Sequence, residues 1–396
     1  MQQARTYLDW NATAPLRPQA HAAMVAALDL VGNPSSVHAE GRAARAVVEA
    51  AREEVARLAG AHPAEVVFTS GASEANNWVV RSPWSRIASA RIEHDSVLAP
   101  ATAGNAAFVE IAVDEDGTVD PGALADDALG PDPARTLVTL QMANNETGVI
   151  QPVAELAARA AARGCHVHTD AVQAAGRMPL QFRELDVDTM ALSAHKIGGP
   201  KGIGALVVRD ANRLAPLIAG GGQERRRRAG TENVAAIAGF GAAASAAMDE
   251  LDGVGRIAAL RDRLEHAVRA VTPQVVVVGA SAARLPNTSL IAMPGLSAEM
   301  LVIKLDLAGF AVSAGAACSS GKVGASTVLQ AMGLPDAIAR GAVRISLGAE
   351  TRDEDIERFV DAWRSICASG AGKTESKLQV AAARERAGAV AAEERV

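Results

Sequence analysis

Short apolar runs recur along residues 65–208, with helix-like stretches between several of them. The runs are Glu65–Ser70, Thr136–Leu140, His166–Asp170, Thr189–Ser193 and Gly204–Val208. Pro152–Arg163 reads as one intervening helix, and Gly71 breaks the first run ahead of a helix from Ser73. Strands alternating with helices predict an α/β fold whose sheet is mainly parallel and covered on both faces. Upstream, residues 40–59 carry Ala44, Val47, Val48, Ala51, Val55 and Leu58 at helical spacing. Hydrophobic residues make up 49% of the chain, which fills such a core and excludes disorder over most of it.

The texture changes after residue 250. A helical stretch, Val254–Val271, leads to strand candidates Gln274–Val278, Thr288–Met293 and Ala342–Leu347, mixed with helices at Ala298–Ala308 and Asp353–Ile366. This predicts a large domain over 13–253 and a smaller α+β domain built from 1–12 and 254–370. A tail rich in Ala, Glu, Arg and Lys follows over 371–396. A length of 396 residues accommodates that division.

Charge and composition narrow the function. The net charge of −6 argues against a broad nucleic-acid footprint, and one Tyr, four Trp and six Phe make few stacking platforms. No run of 18 apolar residues exists to span a membrane. Met1–Pro15 lacks the basic start and apolar core of a secretory signal. Three cysteines, Cys165, Cys318 and Cys367, are too few and odd for a disulfide framework, and no CxxC or HExxH spacing points to a metal. The expectation is a cytoplasmic enzyme without a bound metal.

Three motifs carry chemistry. Lys196 follows a strand end in Ser193-Ala194-His195-Lys196, where an α/β sheet opens its ligand crevice. A lysine that forms a Schiff base needs such a place; otherwise it is a solvated surface residue. Asp170 ends His166-Val167-His168-Thr169-Asp170, with Gln173 three residues on. A carboxylate there suits a pyridinium nitrogen, or else caps the next helix. Thr69-Ser70-Gly71-Ala72-Ser73-Glu74 joins a strand to a helix, whose first amides make an anion cradle. A cradle, an aspartate and a lysine on successive strand ends point together to pyridoxal 5'-phosphate (PLP).

With further stretches, these motifs resemble the cysteine desulfurases of the NifS/IscS group, within the class V aminotransferase-like PLP enzymes. The stretches include Asp9–Pro15, Gly32–His38, Thr69–Asn76, Glu93-His94, Asn144–Val149, Ser193–Gly204, Gly220–Arg225, Ala229–Asn233 and Ser313–Gly321, in order from Tyr7 to Ile366. The resemblance implies PLP fold type I and conversion of L-cysteine to L-alanine, with sulfur left as a persulfide on Cys318. It assigns the Schiff base to Lys196, the ring nitrogen to Asp170 and the ring hydroxyl to Gln173. His94 stacks on the ring and is the expected proton shuttle. Ala72, Ser73, Ser193 and His195 match phosphate-binding positions, and Asn145 lies beside ring and substrate. Thr231 matches a threonine that reaches the neighbouring subunit's phosphate, which implies a homodimer.

Cys318 sits in Ala-Gly-Ala-Ala-Cys-Ser-Ser-Gly, small residues that suit a mobile loop and a travelling thiol. Its spacing to Ala331-Met332-Gly333 resembles the long-loop branch, which passes sulfur to an iron–sulfur scaffold protein. Arg344 and Asn33 match substrate-carboxylate contacts, and a planar guanidinium suits that task. Cys165 and Cys367 read as structural. The chain departs from the family in a shortened Trp78–Arg91 stretch and in Arg225–Arg228, where only the outer two are usually arginine. The extra arginines are expected to make the site mouth more basic. A selenocysteine lyase or another class V lyase or transaminase is the alternative in the same fold.

Overall fold

The structure is a computed structural model, and it describes residues 5–124, 129–210, 213–315 and 326–368. A seven-stranded sheet runs in the order Val66–Thr69, Gly204–Val208, Thr189–Ser193, His166–Asp170, Thr136–Thr139, Arg86–Ser89 and Ala107–Glu110. Only Gly204–Val208 runs against the rest, pairing antiparallel with both neighbours. The mainly parallel sheet read from the alternation is borne out. Two of its strands fall outside the predicted runs. Ala107–Glu110 is an edge strand whose side chains stay partly exposed, and Arg86–Ser89 opens on an arginine.

The strands between are buried throughout, which is why they read as continuous apolar runs. Helices Ala39–Ala59 and Val234–Asp249 pack against one another on one side. That contact depends on small residues: a Cβ on Gly241 would lie 2.6 Å from the Ala51 Cα. Ala44, Val48, Ala51, Val55 and Leu58 are buried as the helical spacing predicts.

A second, four-stranded antiparallel sheet is ordered Ser313–Ala314, Ala342–Ser346, Thr288–Ala292, Val276–Val277. It has its own core, where Phe359 and Trp363 of helix 353–368 stack on one another and Phe310 meets Phe359 edge-on. The N-terminus joins this sheet's side of the molecule: Thr6–Tyr7 pairs parallel with Phe310–Ala311, and Leu8 is buried in the same core. Among the described residues no single helix is long and apolar enough to cross a membrane.

Candidate active site

Reversal of Gly204–Val208 leaves the carboxyl ends of the other strands on one edge. Thr69, Ser89, Thr139, Asp170 and Ser193 end there, and Gly204 pairs with both Thr69 and Ser193. Loops leaving a shared carboxyl edge form the natural crevice of an open α/β sheet. A cavity of about 660 Å³ opens over it. Ala72, Ser73, Ser193, His195 and Lys196 line this cavity, as do His94, Asn145, Asp170, Gln173 and Arg344.

The cradle is the start of helix Ala72–Val80. The first amides of any helix have no carbonyl partner within it, and the helix dipole makes that end favourable to anions. Gly71 precedes them, and a Cβ there would meet nothing within 4 Å. The strand beside it comes very near: a Cβ on Gly204 would lie 2.7 Å from the Gly71 Cα. His195 lines the same wall, and burial, with the neighbouring Lys196 and Lys201, brings it down to about 4. It is therefore neutral and holds a hydrogen bond to Thr13 Oγ1 at 3.2 Å.

Asp170 is buried, and both carboxylate oxygens are held. Val172 N–H donates to Oδ1 at 2.9 Å and Asn76 Nδ2 donates to Oδ2 at 2.7 Å. Burial and the Asp170 charge push the Glu93 carboxyl well above the usual range. Gln173 donates from Nε2 to the Asn11 carbonyl at 3.2 Å, and its Oε1 accepts from the buried Arg177. Lys196 Nζ donates to the carbonyls of Asn11 and Ala12. Arg344 is 2% exposed, bonded to the Asn145 carbonyl at 3.0 Å and to Asp9 Oδ1 at 2.9 Å. Its Nε is buried with no hydrogen-bond partner.

These residues fit PLP: an anion cradle for its phosphate, a lysine amine for its aldehyde carbon and a held carboxylate for its ring nitrogen. The orphan Arg344 Nε fits a substrate carboxylate.

Two expected site residues lie elsewhere. Asn33 is exposed in a turn, its Oδ1 accepting from Ser35 N–H at 2.9 Å. Thr231 is exposed and lines a separate cavity of about 210 Å³ with Ser70 and Gly202, behind the cradle. Cys318 and the whole 371–396 tail lie outside the described residues. Cys165 and Cys367 are buried, and burial pushes both thiols up to about 11, which fits inert structural residues.

The arginine run is not a uniform basic rim. Arg225 reaches the Ala64 carbonyl, Arg228 pairs with Glu74 at 2.5 Å, Arg227 is half-buried and Arg226 is exposed. Glu224, Arg225 and Arg226 all take positive φ, at 43°, 55° and 66°. The turn is anchored by a buried pair, Glu224 to Arg52, with Oε2 at 2.8 Å and Oε1 at 2.9 Å from the guanidinium.

The class V aminotransferase model matches residues 6–359. The chain belongs to the class V aminotransferase family. This class V chain is 42% identical over 378 residues to "Cysteine desulfurase" of Enterobacter agglomerans, covering 91% of this chain and 92% of that one. It is 40% identical over 372 residues to "Cysteine desulfurase IscS" of Dictyoglomus turgidum, covering 91% and 94%. Among solved structures, a NifS-like protein from Rickettsia africae superposes with a TM-score of 0.86 at 34% identity, covering 92% of this chain and 99% of that one. The resemblance read from the motifs is thus borne out.

Several residues at this class V site escaped the sequence reading: Asn11, Asn76, Glu93, Ser96, Glu146 and His168. Two had a signal. Asn76 lies four residues after Ala72 on the same helix, so both share a face. His168 and Asp170 are two apart on one strand and face the same way.

Proposed function

We propose that the chain is a PLP-dependent cysteine desulfurase. It takes sulfur from L-cysteine, releases L-alanine and leaves a persulfide on Cys318, for passage to an iron–sulfur scaffold protein. One observation carries the reading: a single cavity gathers Lys196, Asp170, His94 and Arg344 around a helix-end anion cradle. The curated relatives named cysteine desulfurase support the substrate.

Ala72, Ser73, Ser193 and His195 would hold the phosphate of PLP, Asp170 its ring nitrogen, Gln173 its ring hydroxyl and Lys196 its aldehyde carbon. When bound, the cofactor supplies an electron sink for the bonds of the substrate's Cα. Arg344 orients the substrate carboxylate through its spare Nε–H, with Asn145 alongside. Lys196 Nζ would take the proton from the substrate Cα. The Cys318 thiolate takes the substrate sulfur as the Cβ–S bond breaks, and Cα and Cβ gain protons to give L-alanine. Deprotonation of Cys318 is required, because only the thiolate is nucleophilic.

The reading also takes the chain as a cytoplasmic homodimer, with Thr231 completing the partner's cradle and the sheet cores forming a large and a small domain. The test is borohydride capture of PLP together with alanine and sulfide release from L-cysteine. Lys196→Ala abolishes covalent capture. Cys318→Ser keeps capture and loses sulfide and alanine. Normal alanine release by Cys318→Ser refutes the nucleophile. Absence of capture in the unaltered chain refutes the cofactor. Turnover of selenocysteine alone would favour the lyase.

A further inference from the structure

His94 stands at the end of a string of buried hydrogen bonds whose polarity can be read from one end to the other. Asp170 offers only acceptors when ionised, so the Asn76 atom 2.7 Å from Oδ2 is the amide nitrogen. That fixes the orientation of the Asn76 amide. Its second N–H reaches Ser96 Oγ at 2.9 Å, and its Oδ1 faces His168 Nε2 at 3.0 Å. His168 therefore carries its proton on Nε2 and accepts the Thr189 hydroxyl at Nδ1, 2.9 Å away. Burial, with His166 alongside, brings His168 down to about 3, so it stays neutral.

Ser96 Oγ is already an acceptor for Asn76, and its own hydrogen points to His94 Nδ1 at 2.8 Å. The Ser96 backbone N–H donates to the same Nδ1 at 3.0 Å, because His94 caps helix Asp95–Ala103. A backbone amide cannot accept, so Nδ1 must be the unprotonated nitrogen. Two donors on one lone pair leave the ring proton on Nε2.

We propose that Thr189, His168, Asn76 and Ser96 are positioning residues that lock His94 as the Nε2–H tautomer, a hydrogen-bond donor to the bound substrate and not a base. The role toward substrate rests on the desulfurase reading; the tautomer does not. Held this way, His94 has no free lone pair to accept the Cα proton, and that transfer falls to Lys196. This replaces the proton shuttle expected from the family resemblance. Asn76 also ties the string to Asp170, so one amide sets both a carboxylate and an imidazole.

The tautomer is measurable by long-range ¹H–¹⁵N correlation on ¹⁵N-histidine-labelled full-length protein, without PLP and then saturated with it. His94→Asn assigns the signals. A pyridine-like Nδ1 and a pyrrole-like Nε2 are expected in both states. Ser96→Ala should weaken the hydrogen-bond shift at Nδ1 and lower kcat about tenfold with KM little changed, as one lost hydrogen bond predicts. Ser96→Thr keeps the hydroxyl and should restore both. A pyrrole-like Nδ1, or a Ser96→Ala protein with an unaltered Nδ1 signal, overturns the proposal. Asn76→Ala should move the Nδ1 signal in the same direction as Ser96→Ala. Should the tautomer be found while L-cysteine is not turned over, the desulfurase reading and the donor role toward its substrate both fall, and the locked tautomer alone stands.

Discussion

Glu146→Gln tests whether a buried acid sits at the root of the segment that carries Cys318. The Glu146 carboxyl is buried, and Ser326 Oγ donates to its Oε2 at 2.6 Å. A Cβ on Gly315 would sit 3.3 Å from the same oxygen, so one carboxyl meets both residues that bracket 316–325. Burial pushes the group up from the ordinary 4.5 to about 7, against the opposing pull of Ser326 and Arg344. The folded chain thus holds a proton that the unfolded chain gives up from 4.5 upward. A raised pKa contributes stability that is fully present below 4.5 and is lost as pH climbs through about 7. A shift from 4.5 to about 7, at roughly 1.4 kcal/mol per unit, is about 3 kcal/mol. Glutamine keeps an acceptor for Ser326 and cannot ionise. Urea unfolding of both proteins in parallel, from about pH 4.5 to about pH 8, should therefore show the variant gaining on the parent by about 3 kcal/mol. Curves that stay parallel within about 1 kcal/mol would refute the buried neutral acid.

Three other outcomes follow from the geometry. Glu224→Gln removes the buried carboxylate of Arg52 and leaves the guanidinium only its longer ion pair with the half-exposed Glu49, so it should cost about 3–5 kcal/mol in denaturant melts; a loss under about 1 kcal/mol contradicts that anchoring. Gly204→Ala places a methyl 2.7 Å from the Gly71 Cα and 2.6 Å from the Leu192 carbonyl oxygen. It should displace the cradle and weaken PLP binding about tenfold or more by equilibrium dialysis; unchanged affinity removes the cradle from the site. Arg344→Lys trades a fork that spans Asn145, Asp9 and a spare Nε–H for a point charge. It should raise KM for L-cysteine by roughly tenfold to a hundredfold with a smaller fall in kcat, and equal KM values would exclude the carboxylate clamp.

The parallel sheet was legible because its central strands are buried on both faces, so composition alone marks them. Arg86–Ser89 and Ala107–Glu110 were not legible: the first opens on a part-buried arginine, and the second is a short edge strand that closes on an exposed glutamate. Lys196, Asp170 and the Thr69–Glu74 turn could be read because each ends or follows a strand, and strand ends of one sense share an edge. Asn33 and Thr231 matched the family motifs equally well, yet in the single chain both lie outside the cavity.

Local order, then, was written in the chain: which segments are strands, which turn can cradle an anion, which lysine ends a strand. Tertiary structure alone decided which way the protons point. The polarity of Thr189, His168, Asn76, Ser96 and His94 depends on contacts between residues up to 94 apart in sequence, such as Asn76 with Asp170. The same holds for Glu146, whose neutral form arises only when residues from distant segments close over it. Periodicity reports which face of an element is buried; it carries no record of which donor meets which acceptor once that face is closed.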